Sequence, residues 1–415
     1  MLYCRWQGMR RDLEDENDDT PTYIRTVAQE ERPGLGTGMH EKLASVEMKA
    51  EPALRHVDRV LGELRRGTPV LLRAPDGRVA LVLSAETVDD PCLAILRKKA
   101  KAEPLLIITA RRAMALGLEE GKSARKGADP VALRLLDRSA TRVLELTDPS
   151  LPRARSVERP LVADAPADLA PASVDLMKLA RLLPAALLAM VDGESAKLLE
   201  NDDLLLLETE EVTAYRLAAS RTLSRVGEAK VPLEGAENAR VIAYRPPDGG
   251  VEHLAIVIGE PKADSPLLAR LHSECFTGDL LGSLRCDCGD QLRGAIQAIG
   301  ALGAGVLLYL AQEGRGIGLV NKLRAYSLQD RGADTLEANE QLGFDADERV
   351  YLPAAAMLRD LGFHQVNLLT NNPEKVEALE RCGIEVISRV PHAFPSNRHN
   401  EAYLDTKVRK FGHLF

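Results

Sequence analysis

Three cysteines, Cys275, Cys286 and Cys288, fall within fourteen residues in the spacing Cys-x10-Cys-x-Cys, half of the six in the chain. Thiolates at that density, behind an N-terminus without a secretory signal, point to a metal site rather than to disulfides. Zinc suits them, because it takes soft sulfur ligands in a tetrahedral shell. Three ligands leave one corner open for a water whose pKa falls to about 7, a hydroxide source at neutral pH. Two other readings stand beside this one. A structural zinc would be closed by His272 or Cys382 as fourth ligand, and without metal the cysteines would pack as small hydrophobes.

Two further stretches could hold phosphate. Gly314-Arg315-Gly316-x-Gly318 follows the apolar run Val306–Leu310; glycines let backbone amides approach an anion and Arg315 adds a bidentate clamp. Asn372 is a good helix N-cap and Pro373 suits the first helical position, so free amides point outward where Lys375 can join them. Each is also ordinary turn or helix-start grammar. Asp347 and Arg349, two residues apart, share a face in extended backbone; taken alone they read as a solvated charge cluster, and Tyr326 alone as an ordinary helix residue.

The elements that must position these groups follow from apolar periodicity. At 415 residues the chain is expected to form two domains, and 45% hydrophobic with 28% charged residues is a globular composition. A net charge of −8 and 4% aromatics argue against a nucleic-acid platform, and no apolar run is long enough to span a bilayer. The chain is therefore expected to be cytoplasmic, with no nucleic-acid or membrane partner. Residues 1–45 read as a disordered acidic tail, with Asp12, Glu14, Asp15, Glu16, Asp18 and Asp19 and then Pro33, Gly34, Gly36 and Gly38. Met39 is an alternative start.

In the first domain, 46–221, Val57, Val60, Leu61 and Leu64 predict a helix ended by Gly67. Val70–Leu72 and Val79–Leu83 predict a hairpin across Pro75-Asp76-Gly77. Strands are expected at 105–109 and 186–191, a helix at 173–182, and a further apolar run at 204–207 before 213–221. Residues 222–240 read as a link. In the second domain, 222–415, strands are expected at 251–259, 267–271, 306–310 and 366–370, with helices at 290–302, 321–331 and from Asn372. The fold class is α/β (α+β), two mixed domains.

The motifs Arg270-Leu271-His272-Ser273-Glu274-Cys275, Cys286-Asp-Cys288-Gly, Gln312-Glu-Gly-Arg315, Asp347-Glu-Arg349, Thr370-Asn-Asn-Pro-Glu-Lys375 and Tyr403-Leu-Asp-Thr-Lys407, in that order, resemble GTP cyclohydrolase II over about 222–415. The first domain resembles 3,4-dihydroxy-2-butanone 4-phosphate synthase through Leu61–Gly67 and Leu179–Ala186. It departs from that family where an acidic metal-binding loop should follow the first strand: here the chain reads Arg73-Ala74-Pro75-Asp76-Gly77-Arg78, which leaves nothing to hold Mg²⁺. Ala170-Pro171-Ala172-Ser173 likewise replaces the family's His-Thr-Glu segment, so the domain is expected to keep the fold and lack the chemistry.

The cyclohydrolase resemblance implies hydrolysis of GTP to 2,5-diamino-6-(5-phosphoribosylamino)pyrimidin-4(3H)-one, formate and pyrophosphate in riboflavin biosynthesis. It implies one zinc per subunit on Cys275, Cys286 and Cys288, Mg²⁺ on the GTP phosphates, and a homodimer. Asp347, Arg349 and Tyr326 become the catalytic candidates. Arg270, Leu271, His272, Ser273, Glu274, Gln291, Glu313, Gly314, Arg315, Thr335, Thr370 and Lys375 become the candidate GTP contacts. Arg349 is either the nucleophile on the α-phosphorus, with Asp347 its proton acceptor, or an electrostatic stabiliser. The competing readings are a non-catalytic zinc- and nucleotide-binding regulator and a cyclohydrolase of altered product.

Overall fold

A computed structural model describes residues 50–118, 129–152, 159–201, 204–221, 223–246 and 250–396, with 398, 400, 408–410, 412 and 414. The acidic tail, Met39 and the run 403–407 lie outside the described residues. No described helix is long and apolar enough to cross a membrane.

The first half runs α1 (Ala50–Arg65), β1 (Val70–Arg73), β2 (Val79–Ser84), α2 (Asp90–Ala100), β3 (Leu105–Ile108), α3 (Ala110–Ala115) and β4 (Val131–Arg134). It continues through α4 (Ala140–Thr147), β5 (Leu161–Ala163), α5 (Leu169–Leu179), β6 (Ala185–Val191), α6 (Gly193–Asn201), β7 (Leu206–Glu208) and α7 (Thr209–Arg221). The strands form one sheet in the order β5-β4-β3-β6-β2-β1-β7, antiparallel except for the β1–β7 pair. Side chains on a strand alternate between faces, so Val70, Leu72, Ala80 and Val82 pack under α1, α5 and α7. Leu71, Leu81 and Leu83 pack on the other face with α2, α3, α4 and α6. Helices on both faces are why these strands read as unbroken apolar runs.

The second half runs β8 (Ser224–Lys230), β9 (Ala239–Arg245), β10 (His253–Ile258), β11 (Leu267–Ser273), α8 (Cys288–Leu302), β12 (Gly305–Leu310) and α9 (Leu319–Gln329). After these come α10 (Thr335–Leu342), α11 (Leu352–Asp360), β13 (Gln365–Leu369), α12 (Pro373–Arg381) and β14 (Glu385–Val390). Its sheet has the order β14-β13-β11-β12-β10-β9-β8; β11 to β14 are mutually parallel and β8 to β10 antiparallel. Segment 222–240 is more than a link: it contains β8, an edge strand exposed along its whole length, with no apolar alternation to announce it. The helix expected from 173 begins at Leu169, and the stretch 213–221 lies in a helix that begins at Thr209.

The halves interlock. Leu183, just before β6, is buried with Ile317, Ala325, Leu328, Ala338, Leu342 and Phe344 of the second half. Beside them the buried Thr109 hydroxyl donates to the Gly343 carbonyl at 2.7 Å.

Candidate active site

In open α/β sheets, ligands collect beyond the carboxyl ends of parallel strands. Here β11 ends into Glu274 and Cys275, β12 into the 312–318 loop, and β13 into Thr370-Asn371-Asn372. These segments and α8 to α10 line a cavity of about 640 Å³.

The sulfur centre is built on a tight turn. After β11 the chain makes a π-helical turn, Phe276–Leu280, pinned by Asp279. The Asp279 carboxylate accepts from the Cys275 N–H at 2.9 Å and the Tyr309 hydroxyl at 3.0 Å, and pairs with His272 Nε2 at 3.0 Å. Gly278, inside the turn, donates its N–H to Cys275 Sγ at 3.3 Å. A Cβ there would lie 2.7 Å from Cys286 Sγ and 3.0 Å from Cys275 Sγ, so only glycine leaves room among the sulfurs. All three Sγ atoms lie within 4.8 Å of one another, and Cys275 and Cys286 are 3.7 Å apart, too far for a disulfide. Three converging thiols around a Cβ-free space fit a thiophilic metal. Among the described residues no fourth His, Cys, Asp or Glu joins them. His272 spends Nε2 on Asp279, and Cys382 caps the far end of α12.

Lys322 adds a cation that the sequence did not suggest. Its Nζ lies 3.1 Å from Cys275 Sγ and 2.8 Å from Glu313 Oε1. Burial works against its charge, but the Cys275 thiolate and Glu313 hold it above the usual ammonium range. Hydrogen bonds from the other two thiols, and then the Lys322 charge, pull the Cys275 thiol far down against the effect of burial. Lys322 stands one helical turn before Tyr326, but no local pattern marks it, because its partner Cys275 lies 47 residues away in the chain. Tyr326 Oη is 3.3 Å from Thr277 Oγ1, and its ring lies 5.1 Å from the Arg285 guanidinium and 5.7 Å from Lys322 Nζ. Burial raises its phenol.

The other side of the cavity is cationic. Arg270 is buried; it donates to the Leu369 carbonyl at 2.8 Å and to Gln291 Oε1 at 2.5 Å, while its Nε has no hydrogen-bond partner. Burial brings its pKa down to about 10. Lys375 Nζ donates to the Leu271 carbonyl at 2.9 Å. Leu271 contributes only that backbone atom, since its side chain is in the core and does not line the cavity. The helix start is as expected: Asn372 accepts from the Glu374 N–H at 2.9 Å, and Thr370 Oγ1 accepts from the Asn372 N–H at 3.1 Å.

In the loop after β12, Gly314 and Arg315 both adopt left-handed backbone, at φ 64° and 61°. Glu313 Oε2 accepts from the Phe276 N–H at 2.6 Å, which ties this loop to the cysteine turn. Arg349 lines the cavity, and Asp347 stands behind it, accepting from Arg349 Nε at 2.8 Å and also from Nη2. Burial would raise the Asp347 carboxyl, but the Arg349 charge and its hydrogen bonds outweigh burial and hold it below the usual carboxylate range. His272, Ser273, Glu274, Gln291, Gly314 and Arg315 also line the cavity, as do Thr335 and Thr370. Burial and the neighbouring Glu313 raise the Glu274 carboxyl, while burial lowers the His272 imidazole. Lys322, Asn371 and Asn372 join the lining without having been singled out as contacts.

The family model for GTP cyclohydrolase II matches residues 224–391. A GTP cyclohydrolase-2 of Azospirillum brasilense is 54% identical over 371 residues, which cover 88% of this chain and 95% of that protein. The chain belongs to the GTP cyclohydrolase II family. A match of that length extends well into the first half. Another member, a GTP cyclohydrolase-2 of Shewanella baltica, is 58% identical over 167 residues, 40% of this chain and 82% of that protein. The riboflavin biosynthesis protein RibBA of Synechocystis is 47% identical over 253 residues, 58% of this chain and 45% of its own length. Among solved structures, RibBX of A. baumannii, a two domain 3,4-dihydroxy-2-butanone 4-phosphate synthase, aligns over 81% of this chain and 99% of its own. At 17% identity and a TM-score of 0.34 that likeness carries no argument.

Proposed function

We propose that this cavity hydrolyses GTP to 2,5-diamino-6-(5-phosphoribosylamino)pyrimidin-4(3H)-one, formate and pyrophosphate, as a step of riboflavin biosynthesis. The observation that carries the reading is that the three-sulfur centre, Tyr326 and the Arg349–Asp347 pair converge on one cavity that also holds Arg270, Arg315 and Lys375. The reaction needs both ends: water added at C8 of the base, and displacement at the α-phosphorus.

Zinc held by Cys275, Cys286 and Cys288 would supply a Lewis acid that makes water nucleophilic near neutral pH. Lys322 and Glu313 fix Cys275 and join the cysteine turn to the phosphate loop. Tyr326, a phenol that keeps its proton at neutral pH and all the more so because burial raises it, donates a hydrogen bond to the base or to the attacking water. Arg315, Lys375 and the positive charge of Arg270 meet the phosphate oxygens, with Mg²⁺ sharing their charge. Asp347 keeps the Arg349 guanidinium charged and oriented towards the charge that develops there. An Asp347 held below the usual range is a poor acceptor for a guanidinium proton, so electrostatic stabilisation is favoured over nucleophilic attack by Arg349.

The same reading assigns the chain to the cytoplasm as a homodimer with one zinc per subunit. It divides the chain into a tail, 1–45, a synthase-like domain without synthase chemistry, 46–221, and the cyclohydrolase domain, 222–415. The test is incubation of the pure, zinc-loaded protein with GTP and Mg²⁺, assaying formate and pyrophosphate. Release of both is expected. Tight nucleotide binding with neither product would favour the regulator, and formamide retained on the product would favour an altered outcome.

A further inference from the structure

The halves meet along several seams, among them α3 against α10 and α7 against α11. One seam, residues 178–183 from the last turn of α5 to the start of β6, reaches the two loops that bear Arg315 and Arg349. Arg181 adopts φ 59° as the left-handed residue that ends α5, closed by the Leu182 N–H donating to the Met177 carbonyl at 3.0 Å, and this turn aims its side chain at the second half. Its Nη2 donates at 3.0 Å to the carbonyl of Ala311, the first residue after β12. Its own carbonyl accepts from Asn321 Nδ2 at 3.2 Å. Arg181 thus grips both ends of the segment 311–321, which carries Glu313, Gly314 and Arg315. Asn321 is fully buried, and its Oδ1 accepts from Arg324 Nη1 at 2.7 Å. Arg324 in turn pairs with Glu86 at 3.1 Å and Asp148 at 2.9 Å, both from the first half. Glu86 closes the circuit by accepting the Leu183 N–H at 2.7 Å.

One helical turn before Arg181 points, Lys178 holds the other loop. Its Nζ lies 2.6 Å from Glu348 Oε1 and 3.3 Å from Asp345 Oδ2. Glu348 sits between Asp347 and Arg349, and its N–H donates to the Arg315 carbonyl at 3.1 Å. Docking alone would be met by apolar packing, since buried ion pairs add little net stability. These polar contacts instead end on the loop carbonyls and on Glu348, where they fix position.

We propose that the first half of this chain is a positioning element for the cyclohydrolase site, with Arg181 and Lys178 as positioning residues that set the loops carrying Arg315 and Arg349. The proposal rests on the reading of the cavity as a GTP-hydrolysing site. The Shewanella baltica relative, whose 167 matched residues already make up 82% of its length, has no room for such a half. The dependence is therefore a property of this chain's two-part build.

The test uses the full-length, zinc-loaded protein and the variants Arg181→Ala, Arg181→Lys, Lys178→Met and, as a control, Arg331→Ala. Arg331 also crosses between the halves, to the carbonyls of Pro149 and Ser150, but holds neither loop. Arg181→Ala and Lys178→Met should lower kcat on the order of 10- to 100-fold, with KM changing only about threefold, because misplaced groups cost turnover more than binding. Zinc content should stay at one per chain, Arg181→Lys should recover part of the loss, and Arg331→Ala should keep wild-type kcat. The proposal is overturned if Arg181→Ala and Lys178→Met both stay within about twofold of wild-type kcat, or if Arg331→Ala loses as much as they do. Should Arg181→Ala not fold, Lys178→Met, which retains the aliphatic stem, decides alone by the same criterion. A wild-type protein that turns over no GTP brings down the functional reading instead, a result distinct from an active wild type with unaffected variants.

Discussion

Cys286, just before α8, meets Cys275 across 3.7 Å, and serine is its near-isostere without the thiolate. Cys286→Ser should therefore leave a folded protein that has lost zinc, measured by metal analysis, and formate release with it. Turnover retained by a demonstrably zinc-free variant would sink the metal assignment. Arg349→Ala should abolish pyrophosphate release. If Arg349 is the nucleophile after all, labelled GTP should trap a covalent nucleotidyl-protein in the wild type and not in the variant; if it stabilises charge, no adduct forms. The Asp347–Arg349 pair also has a pH signature. Because the folded-state pKa of Asp347 is depressed, its stabilisation is fully present above the unfolded value of about 3.9 and is lost as pH falls through the lower folded value. Thermal melts of wild type and Asp347→Asn should differ by a constant amount from pH 8 to about pH 5 and converge below about pH 4. A gap that instead closes near neutral pH would mean that Asp347 is not held ionised.

At the scale of elements, the loop after β12 depends on close backbone approach. Gly316 sits at φ 95°, and a Cβ there would come within 2.8 Å of the Glu348 carbonyl oxygen. Gly316→Ala should push the 345–349 segment away and lower kcat/KM for GTP by at least about tenfold, while the separate cysteine turn keeps its zinc. Steady-state kinetics and metal analysis on one sample would separate the two effects. This loop, the cysteine turn and the Asn372 cap were legible in the sequence because each is written in local chemistry: cysteine spacing, glycine density, an Asn-Pro helix start. The central strands β1, β2, β3, β6, β10, β11, β12 and β13 were legible because they read as apolar runs, whereas β4, β5, β9 and β14 were not anticipated. β8 was not, having no buried face, and the short α3 and α10 carry too few turns to establish a period. Lys322 and Arg181 were illegible for another reason. What makes them matter is a partner 47 residues away for Lys322 and 130 for Arg181, and no local pattern records that.

For the molecule as a whole, the first half has a two-faced core and, on the reading proposed above, lacks the carboxylates that synthase chemistry would need. At the β1–β2 turn the single Asp76 carboxylate is taken up by the backbone N–H of Arg78 at 3.0 Å and by its Nε at 2.6 Å. Full-length protein given ribulose 5-phosphate and Mg²⁺ should form no 3,4-dihydroxy-2-butanone 4-phosphate above a no-enzyme control; product above that control would mean the lost loop was misread. The buried cluster that joins Leu183 to Ile317, Ala325, Leu328, Ala338, Leu342 and Phe344 bears on how the protein could be dissected. A fragment started at residue 222 would take six of those seven side chains into water as a fresh apolar patch. Such a fragment should be sticky, eluting as mixed aggregates where the full-length protein gives one sharp peak, so the seam between the halves is a poor place to divide this chain into soluble parts.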